Sequence, residues 1–566
     1  MGKSSAKSKR RNAQISVTVN ARAPKDRLPA IRKIELLWAL ALTGVIVSLH
    51  VYRASQAGPL WRDEVATISA ATMPSLSQLW SSLVYESYPI LPYLVVRMWT
   101  GFNWLGGGDT SLRILGALIG TGIVFVLWFN RQALRYNVPI CSLVLFGLNP
   151  LVIPWGDSIR GYGLGMLFLL LAYGLVWKVV ELPTRGRVLF AASVSVLSVQ
   201  CLYQNAFLLL AICLGGSLVC VRKRLWKRAL LVLGIGIIPA LSLVPYLPTI
   251  RAAQEVLLVA QSSYAWSSLF QLFAWSLSSN VTSLLWTWLL CCGICILFAG
   301  YIITVKSKDR EYEHRVDLCL FSLTILIIGS VSFLLFMKST NLPTNPWYYI
   351  VLMSSIAVSV DVGIEQLAST FRRRVVRLVL ALLVAGVTFP ITWKILPERN
   401  TNLDRIASML EERASEEDFI VVSPYWYGIT FQRYYQGKTD WITIPPMEDL
   451  ELNRYDLLKE KMSAENPMQP VWDGIEKSLR SGNRIWVIGA VRLPPEGQLP
   501  KTLTPAPNGP AGWEMGPYLG SWQEQLGYFL NSHLLENEEV PLQITDRIRI
   551  NPGLEAPIVQ AGKGWR

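Results

Sequence analysis

Four short segments carry the residue types that could do chemistry. The first, Trp61-Arg62-Asp63-Glu64, sets two carboxylates side by side. Near the outer membrane interface, such a carboxylate could be a catalytic group facing a lipid-borne substrate. The same pair also suits an ordinary helix start, where Asp is favoured as a cap and Glu in the first turn. Adjacent residues do not share a helix face, so at most one of the two points into a site. The second segment is Trp155-Gly156-Asp157-Ser158-Ile159-Arg160-Gly161-Tyr162. Asp157 suits a metal or a hydroxyl, and Arg160 a phosphate, because its planar fork donates two parallel hydrogen bonds. The bland alternative is an ion pair closing a tight turn, or Asp157 capping the helix that follows. The third, from Tyr85 to Tyr93, offers Glu86 as a further acid, or simply a solvated acid on an interfacial helix. The fourth, from Lys338 to Tyr349, places Lys338 where it meets a lipid phosphate or snorkels to headgroups.

Composition says what must position these residues. The chain has 566 residues, 52% hydrophobic and 16% charged, whereas soluble domains carry roughly 25% charged residues. A long chain so poor in charge needs a solvent other than water. The net charge is +14, but the basic residues flank apolar runs, where membrane topology accounts for them and nucleic acid does not. The eight cysteines lie in apolar segments or at their edges, which argues against a disulfide scaffold. Cys292 and Cys295 have C-x-x-C spacing inside an apolar helix, which reads as packing. With only His50, His314 and His533, a histidine-based metal centre has little material.

A bilayer core takes about 20 apolar residues per helix. Such runs fall at 34–53, 111–131, 138–154, 161–180, 188–203, 205–221, 228–249, 284–305, 316–337, 347–364 and 377–396. The positive-inside rule orients the ladder with a cytoplasmic N-terminus: the basic tail 1–33, Arg131 and Arg135, Arg185 and Arg187, Arg222 to Arg228, Lys306 to Arg315 and Arg372 to Arg377 all fall on one side. No cleavable signal peptide is visible, so the first span is expected to act as a signal anchor. The loop 54–110 mixes apolar and polar residues in helical fashion. Trp61, Trp80, Trp99 and Trp104 are its expected interface anchors. Residues 398–566 are soluble in character, with helices predicted at 402–414, near 470–481 and at 520–535 and strands at 418–423 and 484–490. The expected fold class is therefore an α-helical polytopic membrane protein of about 11 transmembrane helices, spanning 34–397, with a C-terminal extracytoplasmic α/β domain.

Taken in order, these segments resemble the GT-C superfamily of membrane glycosyltransferases. The likeness is to the bacterial branch related to protein O-mannosyltransferases and lipid A aminoarabinose transferases. Such proteins carry an acidic pair early in the first outside loop, matched by Asp63-Glu64. A motif like D-x-H-P-P-L-Y-Y is matched by Glu86-Ser87-Tyr88-Pro89-Ile90-Leu91-Pro92-Tyr93, with Tyr88 in place of histidine. An L-R-L-P-like start to span two is matched by Leu112-Arg113-Ile114-Leu115. A segment like S-Q-E-A-R-x-Y-A is matched by Gly156 to Tyr162. The late Arg-Tyr of many relatives is absent at Trp347-Tyr348-Tyr349.

The resemblance implies transfer of a sugar from a polyprenyl-phosphate-linked donor to an acceptor hydroxyl of a glycan, lipid or protein. The reaction would run with inversion, on the extracytoplasmic face of a bacterial inner membrane. Asp63 would act as general base, Asp157 as a second catalytic residue, and Glu64 and Glu86 as acidic support. Arg160 and Lys338 would bind donor phosphate, and Tyr88 and Tyr162 would contact acceptor or sugar. Asp157, with Glu86, would either hold a divalent cation, Mg²⁺ or Mn²⁺, since oxygen ligands favour such ions, or orient the acceptor. Two other readings stand beside this one. A transporter or lipid flippase would place ionisable residues at mid-membrane depth. A non-catalytic scaffold of envelope glycan assembly would act through its C-terminal domain.

Overall fold

The computed structural model describes residues 27–102, 108–261, 265–305, 309–542 and 549–566. The basic leader up to residue 26, Trp104 and Lys306 lie outside the described residues. The first long helix, α1 (Arg27–Gln56), leads into three short ones: α2 (Arg62–Ala71), α3 (Leu76–Ser82) and α4 (Leu91–Gly101). Then come α5 (Asp109–Leu134), a π-helical stretch at Ser142–Gly147, α6 (Val152–Gly156), α7 (Gly161–Glu181), α8 (Arg185–Val199), α9 (Asn205–Arg222) and α10 (Trp226–Ser242). A second loop carries α11 (Leu247–Val256) and α12 (Trp266–Ser278). The bundle closes with α13 (Thr282–Thr304), α14 (Arg310–Thr324), α15 (Ser330–Ser339), α16 (Ile350–Leu367) and α17 (Phe371–Ile395).

Nine helices among the described residues are long and apolar enough to cross a membrane. Two of the expected spans fall short of that length for local reasons. Between Arg185 and Arg222 the polar tip Tyr203-Gln204-Asn205 interrupts the helix, so α8 has only 15 residues. The segment 138–154 is broken at Asn149-Pro150, because proline cannot continue a helical ladder. Both segments still run from one end of the bundle to the other. Asn137 Nδ2 donates to Glu35 near the start of α1 at 3.0 Å, and Asp157 meets His50 near its end. Those α1 positions are about 22 Å apart at 1.5 Å per residue. Likewise Arg187 donates to the carbonyls ending α7, while the Gln200 carbonyl accepts from Leu91 of the first loop.

One end of the bundle is tied by a buried ion network. Glu35 of α1 receives Arg374 at 2.8 Å and Arg377 at 2.6 Å from α17, and both arginines also hold Glu365 of α16. Each charge has an opposite partner, which buried charges require. The other end carries the loops and the C-terminal domain.

That domain runs β1 (Glu398–Thr401), α18 (Leu403–Arg413), β2 (Phe419–Ser423), α19 (Trp426–Tyr434), β3 (Asp440–Thr443), α20 (Tyr455–Ser463), α21 (Gln469–Arg480), β4 (Arg484–Gly489), α22 (Met515–His533), β5 (Leu534–Val540), β6 (Arg549–Glu555) and β7 (Val559–Trp565). The main sheet has the order β3-β2-β4-β7-β5. β2 is parallel to β3 and β4, and β7 runs antiparallel between β4 and β5. The continuous apolar run Ile420-Val421-Val422 fits a strand covered on both faces. β1 pairs in parallel with β6, a link between the end of the bundle and the end of the chain.

The domain is bonded to the bundle and its first loop. Arg53 of α1 donates to the Glu398 carbonyl at 2.5 Å, Arg433 donates to Asp109 of α5 at 2.7 Å, and the Leu60 amide donates to Tyr434 at 2.6 Å.

Candidate functional site

The site grows from the first turn of α2. Its two acids point apart, as adjacent helical residues must. Glu64 turns into the bundle: its Oε1 accepts from Arg113 Nη1 at 2.7 Å and from the Ile159 amide at 3.0 Å. Its Oε2 accepts from the Trp61 amide at 3.4 Å, half of a capping box. Arg113 also donates to the Gly58 and Pro59 carbonyls. Glu64 thus ties the start of α2 to α5 and to the loop before α7.

Asp63 turns the other way. Its Oδ1 accepts from Arg62 Nε at 2.9 Å, and its Oδ2 lies 4.0 Å from Arg160 Nη2. Arg160 Nη1 donates to three oxygens: the Asp63 carbonyl at 2.9 Å, Thr67 Oγ1 at 2.9 Å and Glu86 Oε2 at 3.3 Å. Its guanidinium stacks 4.5 Å over the Tyr88 ring. Tyr93 donates to Glu86 Oε2 at 2.9 Å. Tyr162 meets Tyr88 edge-on at 5.5 Å and stacks on Tyr348 at 5.9 Å. Asp63, Glu86, Tyr88, Arg160 and Tyr162 are therefore one constellation.

Side-chain exposure separates the acids. Asp63 is 18% exposed, against 0% for Glu64, 1% for Glu86 and 6% for Asp157. Burial pushes the Asp63 carboxyl up, but the Arg62 and Arg160 guanidiniums outweigh it and hold the group below the usual carboxylate range. Glu86 goes the other way: burial raises it, and Arg160 and Tyr93 offset this only in part. Burial likewise raises the Tyr88 phenol. Neighbouring acids are thus driven apart, one ionised and one prone to hold a proton.

Asp157, expected as a second catalytic residue, is paired with His50 and not with this constellation. Both its oxygens face His50 Nδ1, at 2.7 and 2.9 Å. The pair sits over Gly120 of α5, where a Cβ would fall 2.0 Å from Asp157 Oδ1 and 2.4 Å from His50 Nδ1. Asp157 belongs to the packing of α1, α5 and α7. The cation pairing also changes: Asp157 is held by His50 and Glu86 by Arg160, so the two do not converge as a ligand pair. Among the described residues no group of three or more His, Cys, Asp or Glu is arranged to hold a metal ion. Lys338 lies half-buried in the last turn of α15, on the loop end of the bundle. Trp61 is 2% exposed and packs edge-on against Trp155 and Trp347, so it is a core residue and no interface anchor.

Three residues at the site had a local signal that the motifs did not use. Thr67 stands four residues after Asp63, on the same helix face; His50 is a titratable residue near the end of an apolar span; and Arg62 adjoins Asp63. Tyr348 stacks on Tyr162 through tertiary contact alone, which no local pattern announces.

Among solved structures the chain is similar to the oligosaccharyltransferase of Archaeoglobus fulgidus tethered to an acceptor peptide, at 10% identity over 80% of this chain and 69% of that one, with TM-score 0.45. It is similar to the archaeal oligosaccharyltransferase AglB from the same organism in complex with an inhibitory peptide and a dolichol-phosphate, at 10% identity over 80% and 70%, with TM-score 0.43. It is also similar to ArnT from Cupriavidus metallidurans bound to undecaprenyl phosphate, at 11% identity over 80% and 93%, with TM-score 0.33. No family model and no curated protein matches the sequence.

Proposed function

We propose that the chain is a membrane glycosyltransferase of the GT-C type. It moves a sugar from a polyprenyl-phosphate donor to an acceptor hydroxyl, on the extracytoplasmic side of what we take to be a bacterial inner membrane. One observation carries this reading. Of the four acids in the three loop motifs, Asp63 alone keeps appreciable access, and two guanidiniums keep it ionised. A general base must be both deprotonated and reachable.

In this reading Asp63 accepts the acceptor's hydroxyl proton as that oxygen bonds to the anomeric carbon. The bond between that carbon and the phosphate oxygen breaks, and the lipid phosphate leaves with the electron pair. Direct attack inverts the anomeric centre. Arg160 supplies positive charge beside the departing phosphate. Its Nη1 is spent on positioning Asp63, Thr67 and Glu86, while its buried Nε has no hydrogen-bond partner among the described residues. Charge aimed where charge develops is the usual route to transition-state stabilisation. Tyr88 and Tyr162 are proposed to line the sugar or acceptor, and Lys338 to meet the donor's phosphate from α15.

The test is transfer in membranes containing the protein, supplied in turn with radiolabelled polyprenyl-phosphate sugars and with nucleotide sugars, alongside native membrane extract as acceptor source. Transfer from a lipid-linked donor alone supports the reading. Transfer from nucleotide sugars, or from none, contradicts it.

A further inference from the structure

We infer that Glu555, the last residue of β6, is a positioning residue of the catalytic loop, through which the C-terminal domain fixes where Asp63 stands. The kinetic part of this rests on the glycosyltransferase reading; the structural part does not.

α2 lacks a cap of its own. Its N-cap residue is Trp61, whose indole donates and cannot accept. The first amides of a helix need acceptors. Glu64 takes the Trp61 amide from within, and the Arg62 amide goes to Glu555 Oε2 at 3.3 Å, a residue 493 positions later. The same oxygen accepts from Thr430 Oγ1 of α19 at 2.8 Å, and the Glu555 carbonyl accepts from the Asn402 amide at 3.2 Å. Glu555 is 3% exposed, so its geometry is set from several sides.

Two further ties point the same way. Tyr434 holds the Leu60 amide, just ahead of the helix. The Arg62 side chain is shared electrostatically between Asp63, which it touches, and Glu555 and Tyr455 of the C-terminal domain. Moving that domain therefore moves the start of α2 and redistributes the charge on which Asp63 depends. The C-terminal domain is part of the active machinery on this account, in addition to any role in acceptor selection.

The experiment uses the full chain in detergent or liposomes, with Glu555→Ala, Glu555→Gln and Thr430→Val. Gln keeps an acceptor oxygen for the Arg62 amide and the Thr430 hydroxyl; Ala keeps none. Deuterium exchange of peptides covering 58–68 is expected to quicken roughly fivefold or more in Glu555→Ala, the size of a lost helix cap. It should quicken less in Thr430→Val and stay at the wild-type rate in Glu555→Gln, while β2 and β4 remain protected in all three. In transfer assays Glu555→Ala should lose kcat by a similar factor with donor KM unchanged, and Glu555→Gln should restore it. Unchanged exchange over 58–68 in Glu555→Ala overturns the inference. So does loosening of the whole of 398–566 without a selective effect at 58–68. If wild type transfers nothing, the function proposed above fails, and the exchange measurement alone decides the role of Glu555.

Discussion

Glu64→Gln separates the two neighbouring acids. The substitution keeps the shape of the side chain and removes its charge. Arg113, only 7% exposed, then loses its carboxylate partner at 2.7 Å and keeps the Gly58 and Pro59 carbonyls. Stranding a buried charge typically costs about 3–5 kcal/mol. Gln still offers one acceptor to Ile159 or Arg113, so the lower end, about 3 kcal/mol, is expected. The average unfolding entropy of about 2.1 cal/mol/K per residue gives ~1.2 kcal/mol/K for a chain of 566 residues. The thermal midpoint in detergent should therefore fall by roughly 2–3 °C. Adding Arg113→Gln should recover part of that loss, because the two side chains act as one pair. Transfer should drop only as far as the start of α2 loosens, by about tenfold or less, against roughly 10²–10⁴-fold for removal of a general base. Complete loss of transfer in Glu64→Gln at an unchanged midpoint would instead make Glu64 the chemical group.

Three other outcomes are expected. Arg160→Lys keeps the charge but not the fork that reaches the Asp63 carbonyl, Thr67 and Glu86 together; single-turnover transfer should fall by roughly 10–100-fold, and an unchanged rate would remove Arg160 from the site. Gly120→Ala puts a Cβ against Asp157 and His50 and should cost about 1–3 kcal/mol in thermal unfolding, whereas Gly44→Ala, with nothing within 4 Å, should not destabilise. Glu555 is pushed up to about 7, first by burial, with Arg62, Thr430 and Thr401 pulling it back, and Tyr427 is the other titratable neighbour. The folded state then holds the extra proton. Stability from this group is fully present below the unfolded carboxyl value, near 4.5, and is lost as pH rises to about 7. The change amounts to about 3 kcal/mol. Melting from pH 4.5 to 7.5 should show that decline in wild type and lose it in Glu555→Gln; parallel profiles would contradict it.

Much of the bundle was legible because a membrane helix announces itself by length and apolarity alone. Arg185 to Arg222 was readable as two short helices from the polar tip at Tyr203-Gln204-Asn205. The break inside 138–154 followed from Asn149-Pro150, yet was read over because the flanking residues are apolar. In the C-terminal domain the predicted strands at 418–423 and 484–490 are β2 and β4, whose apolar runs carry the signal themselves. β5, with Glu536, Asn537, Glu538 and Glu539, carries none, since an exposed edge strand needs no apolar pattern. α19 was missed because its aromatic residues suit strand as well as helix.

At the site, Asp63, Glu86, Tyr88, Arg160 and Tyr162 were nominated from residue type and order, and the fold brings them together. Asp157 was equally eligible by type. Its direction was set by His50 and by the missing Cβ of Gly120, neither of which is local to the motif. Glu555 lies in a polar C-terminal strand with no sequence link to Asp63.

The proposed base for transfer from a lipid-linked sugar is Asp63. The direct measurement is single-turnover transfer from a radiolabelled polyprenyl-phosphate sugar by wild type and Asp63→Asn at matched expression and matched thermal midpoint. Transfer by wild type and a loss of roughly 10²–10⁴-fold in the variant are expected. Equal transfer by both proteins would contradict this role.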